Sequence, residues 1–292
     1  MLDPAQLAAV AAIHRQGSFE RAAAELSITP SAISQRLKSL EEHLGARLIR
    51  RGQPCTATET GLRLIRHYDD MALLEQTLSR DLPGLASSPV TLRIAVNADS
   101  LASWVLPALT AVPDVLFDLV IDNQDASQDW LKRGEVLGVI TSHPGPLQGC
   151  DTIPLGALRY HAVASPEFLR QRLPRGPTAE ALSSAPALRF NEKDRLQHVW
   201  AARQTGGAVT WLPCHRLASA NSIFEACLLG LGWTMMPETI AKEHLAAGRL
   251  RDLVPGTSID ISLNWQFVRL AAPALAPLTS ALTASAARHL VA

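Results

Sequence analysis

Residues 18–51, SFERAAAELSITPSAISQRLKSLEEHLGARLIRR, set two apolar-periodic segments around a polar break and end in a basic cluster. Ser18 is placed to cap the first segment, although Arg21 stands where a capping-box glutamate would sit. Phe19, Ala22, Ala23 and Leu26 then share one face of a helix barely two turns long. At Thr29-Pro30 the signals for a new helix coincide. Threonine is a good N-cap, and proline at the first helical position gives up only an N–H that has no intrahelical partner. Ile33, Leu37, Leu40 and Leu44 follow at spacings of four, three and four, and Gly45 stops the helix. A short helix, a tight turn and a longer helix form the helix-turn-helix layout.

The chemistry of the exposed face gives that layout a use. Thr29, Pro30 and Ser31 open the second helix, and Ser34, Gln35 and Lys38, with Arg36 alongside, bring small donors and an amide to its outer side. Such groups reach base edges or phosphates, and no large apolar residue obstructs entry into a groove. ARLIRRGQPCTATETG then reads as a two-stranded wing carrying Arg47, Arg50 and Arg51 within phosphate reach. The bland alternative is a helical hairpin with a solvated face. Upstream, Leu7, Val10, Ala11 and the stem of His14 predict a helix from Asp3 to Gln16, stopped by Gly17. Residues 1–66 hold nine Lys and Arg against six Asp and Glu in a chain of zero net charge, an asymmetry that points to the N-terminal end as the nucleic-acid-facing one.

At 292 residues and 47% hydrophobic content the chain has material for two or three packed units. No run approaches the roughly 18 uninterrupted apolar residues of a membrane span. The start reads as an amphipathic helix instead of a signal peptide, so a soluble cytoplasmic protein without membrane attachment is expected. Cys55, Cys150, Cys214 and Cys227 form no C-x-x-C pair, and the histidines are dispersed. Neither a disulfide framework, a metal site nor a cofactor is expected, and Pro213 to His215 reads as a strand end.

From Glu59 to about Leu82, Leu62, Ile65, Met71, Leu74 and Leu78 form one stripe. A helix of about 24 residues spans roughly 36 Å, more than one small domain covers, so it is expected to pair with its copy in a dimer. PGLASSP then marks a boundary. The domains expected are 1–58 (winged helix-turn-helix), 59–88 (linker helix and hinge) and 89–292 (effector domain). VTLRIAVNAD, SLASWVLPAL, FDLVID, ASQDWLKRGE and LGVITS alternate strand and helix, which predicts a covered parallel βαβαβ sheet. A second such unit follows, from ALRFN to ETIAKEHLAAG, and LAPLTSALTASAARHL is a helix that could return to the first. The predicted fold class is α/β: a two-lobed, periplasmic-binding-protein-like clamshell with lobe I at about 89–162 and 268–292 and lobe II at about 163–267.

In a clamshell, ligands bind beyond the carboxyl ends of the strands. Ser100 is expected to start a helix there, so that it and the amides of Leu101 and Ala102 meet a ligand carboxylate, with Ser103 assisting. Asp122 and Asp125 follow the second strand, and one of them, Asp122 by preference, is expected to meet a cationic amine. Asn221 and Ser222 open a helix on the other lobe. Against this, Ser100 and Asn221 read equally as plain N-caps, and Asp125 as a cap for the next helix.

Ala22, Ala23, Leu26, Thr29, Ser34, Leu37, Leu40, Glu41, Leu44, Gly45, Arg51, Thr58 and Gly61 match the winged helix-turn-helix pattern of LysR-type transcriptional regulators, which the chain resembles. Pro30-Ser31 departs from the Gln-Pro of many members, and GQPCTA lacks a common leucine before the threonine, so neither base preference nor the wing tip carries over. LGLGWTMMPETIAKEHLAAGRLRDL resembles the matching part of LysR effector domains, which extends the likeness over nearly the whole chain. VNADSLASWVLPAL, LKRGEVLGVI and PCHRLASANSIFEA resemble the lysine- and arginine-sensing subgroup, ArgP/LysG. The resemblance implies a homodimeric or homotetrameric activator that binds promoter DNA, works with RNA polymerase, takes a basic amino acid as effector and controls export or metabolism of such amino acids.

Two other function classes are weighed. An enzyme would need a motif, and no G-x-S-x-G, H-E-x-x-H, P-loop or strand-borne G-x-G-x-x-G occurs. A DNA-binding inhibitor of chromosome replication initiation would share the N-terminus but has no use for a two-lobed pocket. A LysR-type regulator of an unrelated pathway stays open beside them.

Overall fold

The computed structural model describes residues 2–81, 90–113, 115–121, 127–145 and 147–292. It divides into two compact units, 1–90 and 91–292. The first contains α1 (Pro4–Gln16), α2 (Phe19–Glu25), α3 (Pro30–Leu44), β1 (Ile49–Arg50), β2 (Thr56–Ala57) and α4 (Glu59–Asp81).

Local chemistry sets these boundaries. Asp3, Ser18 and Thr29 cap the first three helices with their side chains, accepting from Ala5, Arg21 and Ala32 amides. Gly17 and Gly45 end α1 and α3 in left-handed conformation. Ile33, Leu37 and Leu40 of α3 are buried with Leu7, Val10 and Ile13 of α1, Ala22 of α2, Leu48, and Ile65 of α4. Each fully buried aliphatic side chain contributes about 1.5–3 kcal/mol, which is what holds so small a unit together. Leu44 departs from the expected stripe and is 38% exposed, because α3 extends past the core in its last turn.

The wing is fastened from beneath. Glu41 Oε1 accepts from the amides of Leu48 (2.8 Å) and Ile49 (3.4 Å), at the entry to β1. Thr58 Oγ1 donates to Arg47 O (2.7 Å) and accepts from the Gly61 amide (3.1 Å), capping α4 against the wing. Gly61 leaves no room for a side chain, since a Cβ there would lie 2.2 Å from Leu48 O. The stripe expected on α4 divides. Ile65 is buried, and Leu64, Tyr68 and Met71 pack on the same core, whereas Leu74 and Leu78 are 52% and 54% exposed.

The second unit runs β3 (Val90–Val96), α5 (Ala98–Ser100), a π turn (Leu101–Val105), α6 (Leu106–Thr110), β4 (Val115–Ile121), α7 (Ser127–Lys132), β5 (Gly138–Thr141) and β6 (Cys150–Ala164). It continues with α8 (Pro166–Arg172), α9 (Ala179–Leu182), β7 (Ala187–Arg189), α10 (Leu196–Gln204), β8 (Cys214–Arg216), α11 (Ala220–Leu228) and β9 (Thr234–Pro237). The last elements are α12 (Glu238–Ala246), β10 (Arg251–Asp252), β11 (Ile259–Val268) and α13 (Ala272–His289). The main sheet has the order β10-β6-β11-β5-β3-β4, with β9 also on β6, and β7 and β8 pair in parallel apart from it. β3 and β5 are parallel, as the βαβαβ reading requires. The sheet as a whole is mixed, because β11 runs antiparallel to both β5 and β6.

β6 is a 15-residue strand absent from the sequence-based reading. It lies beside β11 along that strand's full length, with a register shift at Leu263/Asn264 opposite Gly156, which has φ +109°. These two strands thus run through both halves of the unit and break step together. α13 returns to the first half as expected: Ser285 Oγ donates to Trp104 O (2.7 Å), and Trp265 Nε1 to Thr279 Oγ1 (3.0 Å). By length and composition the segment Arg269–His289 would pass as a membrane span, but Leu275, Leu278 and Leu282 are fully buried inside this unit.

Candidate functional site: a nucleic-acid face and a ligand cleft

On α3, Ser31, Gln35 and Lys38 are exposed. Thr29 and Ser34 are already engaged. Thr29 Oγ1 accepts from the Ala32 amide (3.2 Å) and lies 2.9 Å from Ser31 Oγ, while Ser34 Oγ donates to Pro30 O (2.9 Å). Pro30 therefore starts the helix, and Gln35 and Lys38 are its freest polar groups for base edges and phosphates. Lys38 Nζ sits 3.6 Å from Glu42 Oε1, an exposed pair that yields easily to a phosphate. Arg50 projects from β1, and the Arg51 guanidinium stacks 5.5 Å from the Phe19 ring centre. That contact orients Arg51 beside the start of α2. Glu41 is a motif position in the sequence, and its role as wing anchor depends on a backbone pairing that no spacing reveals.

In the second unit the first correction concerns the helix after β3. Its N-cap is Asn97, whose Oδ1 accepts from the Ser100 amide (2.8 Å), so the helix starts three residues earlier than expected. Ser100 is fully buried inside it, the Leu101 amide bonds to Asn97 O (3.1 Å), and Ser103 Oγ donates to Asp99 O (2.6 Å). Ala102 packs with the apolar cluster of Ile223 and Phe224. None of these four offers a free amide at a helix start; the amides of Ala98 and Asp99 do. A second correction concerns α11. Ser219 is its cap, taking the Ser222 amide at 3.3 Å, and Asn221 and Ser222 are exposed while Ile223 and Phe224 line the cleft. Asp122 and Asp125 fall outside the described residues.

The cleft has a volume of about 280 Å³ and is lined by Asn97, Asp99 and Ser142 from one half, Tyr160 from the strand β6 that runs through both, and Asp194 and Gln197 from the other, among others. Tyr160 Oη donates to Asp99 Oδ2 (3.0 Å). The Asp194 carboxylate accepts from the Phe190 amide (3.1 Å), the Leu196 amide (3.3 Å) and Gln197 Nε2 (3.3 Å). Burial, reinforced by the negative charge of Asp194, pushes the Asp99 carboxyl up to about 7, against the opposing pull of the Tyr160 hydrogen bond. Burial and the Asp99 charge raise the Tyr160 phenol well above its usual range. Lys193, Arg195 and Arg203 stand at the same cleft, so it offers both signs of charge. Among the described residues, Asn97 Nδ2 and Gln197 Oε1 are buried polar atoms without a partner. A cavity with opposed carboxylates, cations at its border and unspent donor and acceptor groups suits a small ligand that itself carries both charges.

A winged helix-turn-helix unit followed by an α/β unit with such a cleft defines a DNA-binding regulator carrying a small-molecule sensor. Residues 4–62 match the model of the bacterial regulatory helix-turn-helix proteins of the lysR family, and residues 87–290 match the LysR substrate binding domain. The chain belongs to the LysR family of transcriptional regulators. It is 40% identical over 289 residues to the regulator LysG of Mycobacterium tuberculosis, covering 98% of this chain and 94% of that one. The crystal structure of ArgP from Mycobacterium tuberculosis matches with a TM-score of 0.82 at 38% identity, over 100% of this chain and 99% of that one. Full-length LysG from Corynebacterium glutamicum with bound effector Arg matches with a TM-score of 0.70 at 35% identity, over 100% of both chains.

Proposed function

We propose that this regulator senses a basic amino acid, arginine or lysine, in the cleft between Asp99 and Asp194, and controls genes for export or metabolism of such amino acids. The observation that carries this reading is the opposed carboxylate pair. Asp99 and Asp194 line one cavity, and burial first, with the Asp194 charge after it, pushes Asp99 up to about 7. Two carboxylates facing one cavity repel each other, and a cation between them relieves that repulsion. One cationic group of the effector meets Asp99, and its carboxylate meets the amides of Ala98 and Asp99 at the helix start. Asp122 and Asp125, which follow β4 in the chain, remain candidates for the second cation. The Arg bound by the Corynebacterium relative supports the ligand class.

The remainder of the reading is that of a binding protein without a catalysed reaction. Gln35 and Lys38 read promoter DNA, Arg50 and Arg51 hold phosphates, and α4 pairs two copies into a cytoplasmic homodimer or homotetramer that contacts RNA polymerase. The domains run 1–58, 59–88 and 89–292. The test is a thermal-shift screen of the full chain against the twenty amino acids, because a ligand that binds only the folded state raises its stability by RT ln(1 + [L]/Kd). Arginine and lysine should raise the melting temperature and neutral amino acids should not; a shift confined to neutral or acidic compounds would overturn the reading.

A further inference from the structure

Gln266 lies near the C-terminal end of β11 and is fully buried, paired through its backbone with Val139 of β5 and Thr152 of β6. Its side chain gives both donors to one loop and its acceptor to α7. Nε2 donates to His143 O (3.0 Å) and to Gly145 O (2.7 Å), and Oε1 accepts from Gln128 Nε2 (3.0 Å). Gln128, on α7 and 8% exposed, also reaches Gly145 O (3.3 Å), and Asn264 Nδ2 donates to His143 O (3.2 Å). Thr141 Oγ1 accepts from the His143 amide (3.2 Å). Filling this space would require only an apolar side chain of similar length. A buried amide costs free energy unless its hydrogen bonds are made, and here both donors and the acceptor are used.

The loop so held joins β5 to β6, and its first residue, Ser142, lines the cleft. β11 is one of the two strands that run through both halves of the unit, and its register shift at Leu263/Asn264 lies two to three residues before Gln266. We propose that Gln266 is a positioning residue for effector recognition. Through the amide clamp it shares with Gln128 and Asn264, it fixes the Ser142–Gly145 loop in the shape that receives the ligand. It also ties that loop to the strand along which the two halves meet. This rests on the cleft being the effector site, as argued above.

The test uses the full chain, with Gln266→Met, which keeps the length and removes the polarity, and Gln128→Leu, which removes one bond to Gln266 and one to Gly145 O. Two readings are made on each: amide hydrogen exchange at Ser142, His143, Gly145 and Leu147 without any amino acid, and the Kd for L-arginine and L-lysine by calorimetry. Expected are about tenfold faster loop exchange and about tenfold weaker binding in Gln266→Met, with the same direction and smaller size in Gln128→Leu. Should Gln266→Met fail to fold, Gln128→Leu carries both readings. Unchanged loop exchange in a folded variant overturns the proposal, as does faster exchange with unchanged affinity. If the wild-type chain binds neither amino acid, the effector reading fails by itself, and the exchange arm still decides whether the clamp exists.

Discussion

Tyr160 Oη and Asp99 Oδ2 are 3.0 Å apart, a hydrogen bond that joins a strand running through both halves of the sensor to the first turn of the helix at its cleft. Tyr160 is 2% exposed, so the bond is made away from water. It places a carboxyl where a cation can reach it while holding that carboxyl still.

The first prediction concerns pH. Burial and then Asp194 move the Asp99 carboxyl from 3.8 up to about 7. The folded chain therefore binds this proton more tightly than the unfolded one. Stability from this group is present at low pH, falls as pH rises from about 4 to about 7, and is flat above that. A cationic effector needs the ionised form, so its affinity runs the other way. Arginine should bind about tenfold more weakly at about pH 6 than at about pH 8. Calorimetry across that range in Asp99→Asn should show the pH dependence gone.

A second prediction separates reading from holding on DNA. Gln35→Ala should change base preference by about 1–3 kcal/mol at one position. Arg51→Ala should weaken all sequences alike and lower the salt slope by about one unit. Binding titrations on variant sites at several salt concentrations check both; a sequence-selective effect from Arg51 alone would reverse the assignment.

The third concerns the wing. Glu41→Ala strips the Leu48 and Ile49 amides of their acceptor, and a buried amide left unpaired costs about 1–3 kcal/mol. Faster amide exchange at Leu48 and Ile49, together with weaker DNA binding at every site, is the expected result. Thr29→Ala should cost about 1 kcal/mol through the lost cap.

Leu74 and Leu78 carry the fourth. They stay 52% and 54% exposed while Ile65, on the same helix, is buried. Leu74→Glu should yield monomers in sedimentation and lose operator binding. A stable dimer in that variant would move the interface off α4.

The sequence was most legible where the physics is local. Thr29-Pro30 and Gly45 bound α3 by capping and by a left-handed turn, both written into neighbouring residues. In NADS the same logic misleads, because Asn97 and Ser100 are both good caps and only the structure selects Asn97. β6 is not legible in the sequence because Pro154 and Gly156 break its pattern, and its partner β11 lies about a hundred residues away. Asp99 lies inside the same motif, but its character comes from burial and then from Asp194, with Tyr160 bonding it, and no spacing in the sequence reveals these. Glu41 and Gln266 act on backbone groups of other elements, and their roles follow from tertiary pairing alone.

The most direct test of the central claim is calorimetric titration of the full chain with L-arginine and L-lysine at about pH 8, beside Asp99→Asn and Asp194→Asn. Removing one partner of a desolvated charge pair costs about 2–5 kcal/mol, so each variant should bind at least about tenfold more weakly than wild type. No heat with either amino acid in the wild-type chain, or wild-type affinity in both variants, would contradict the account.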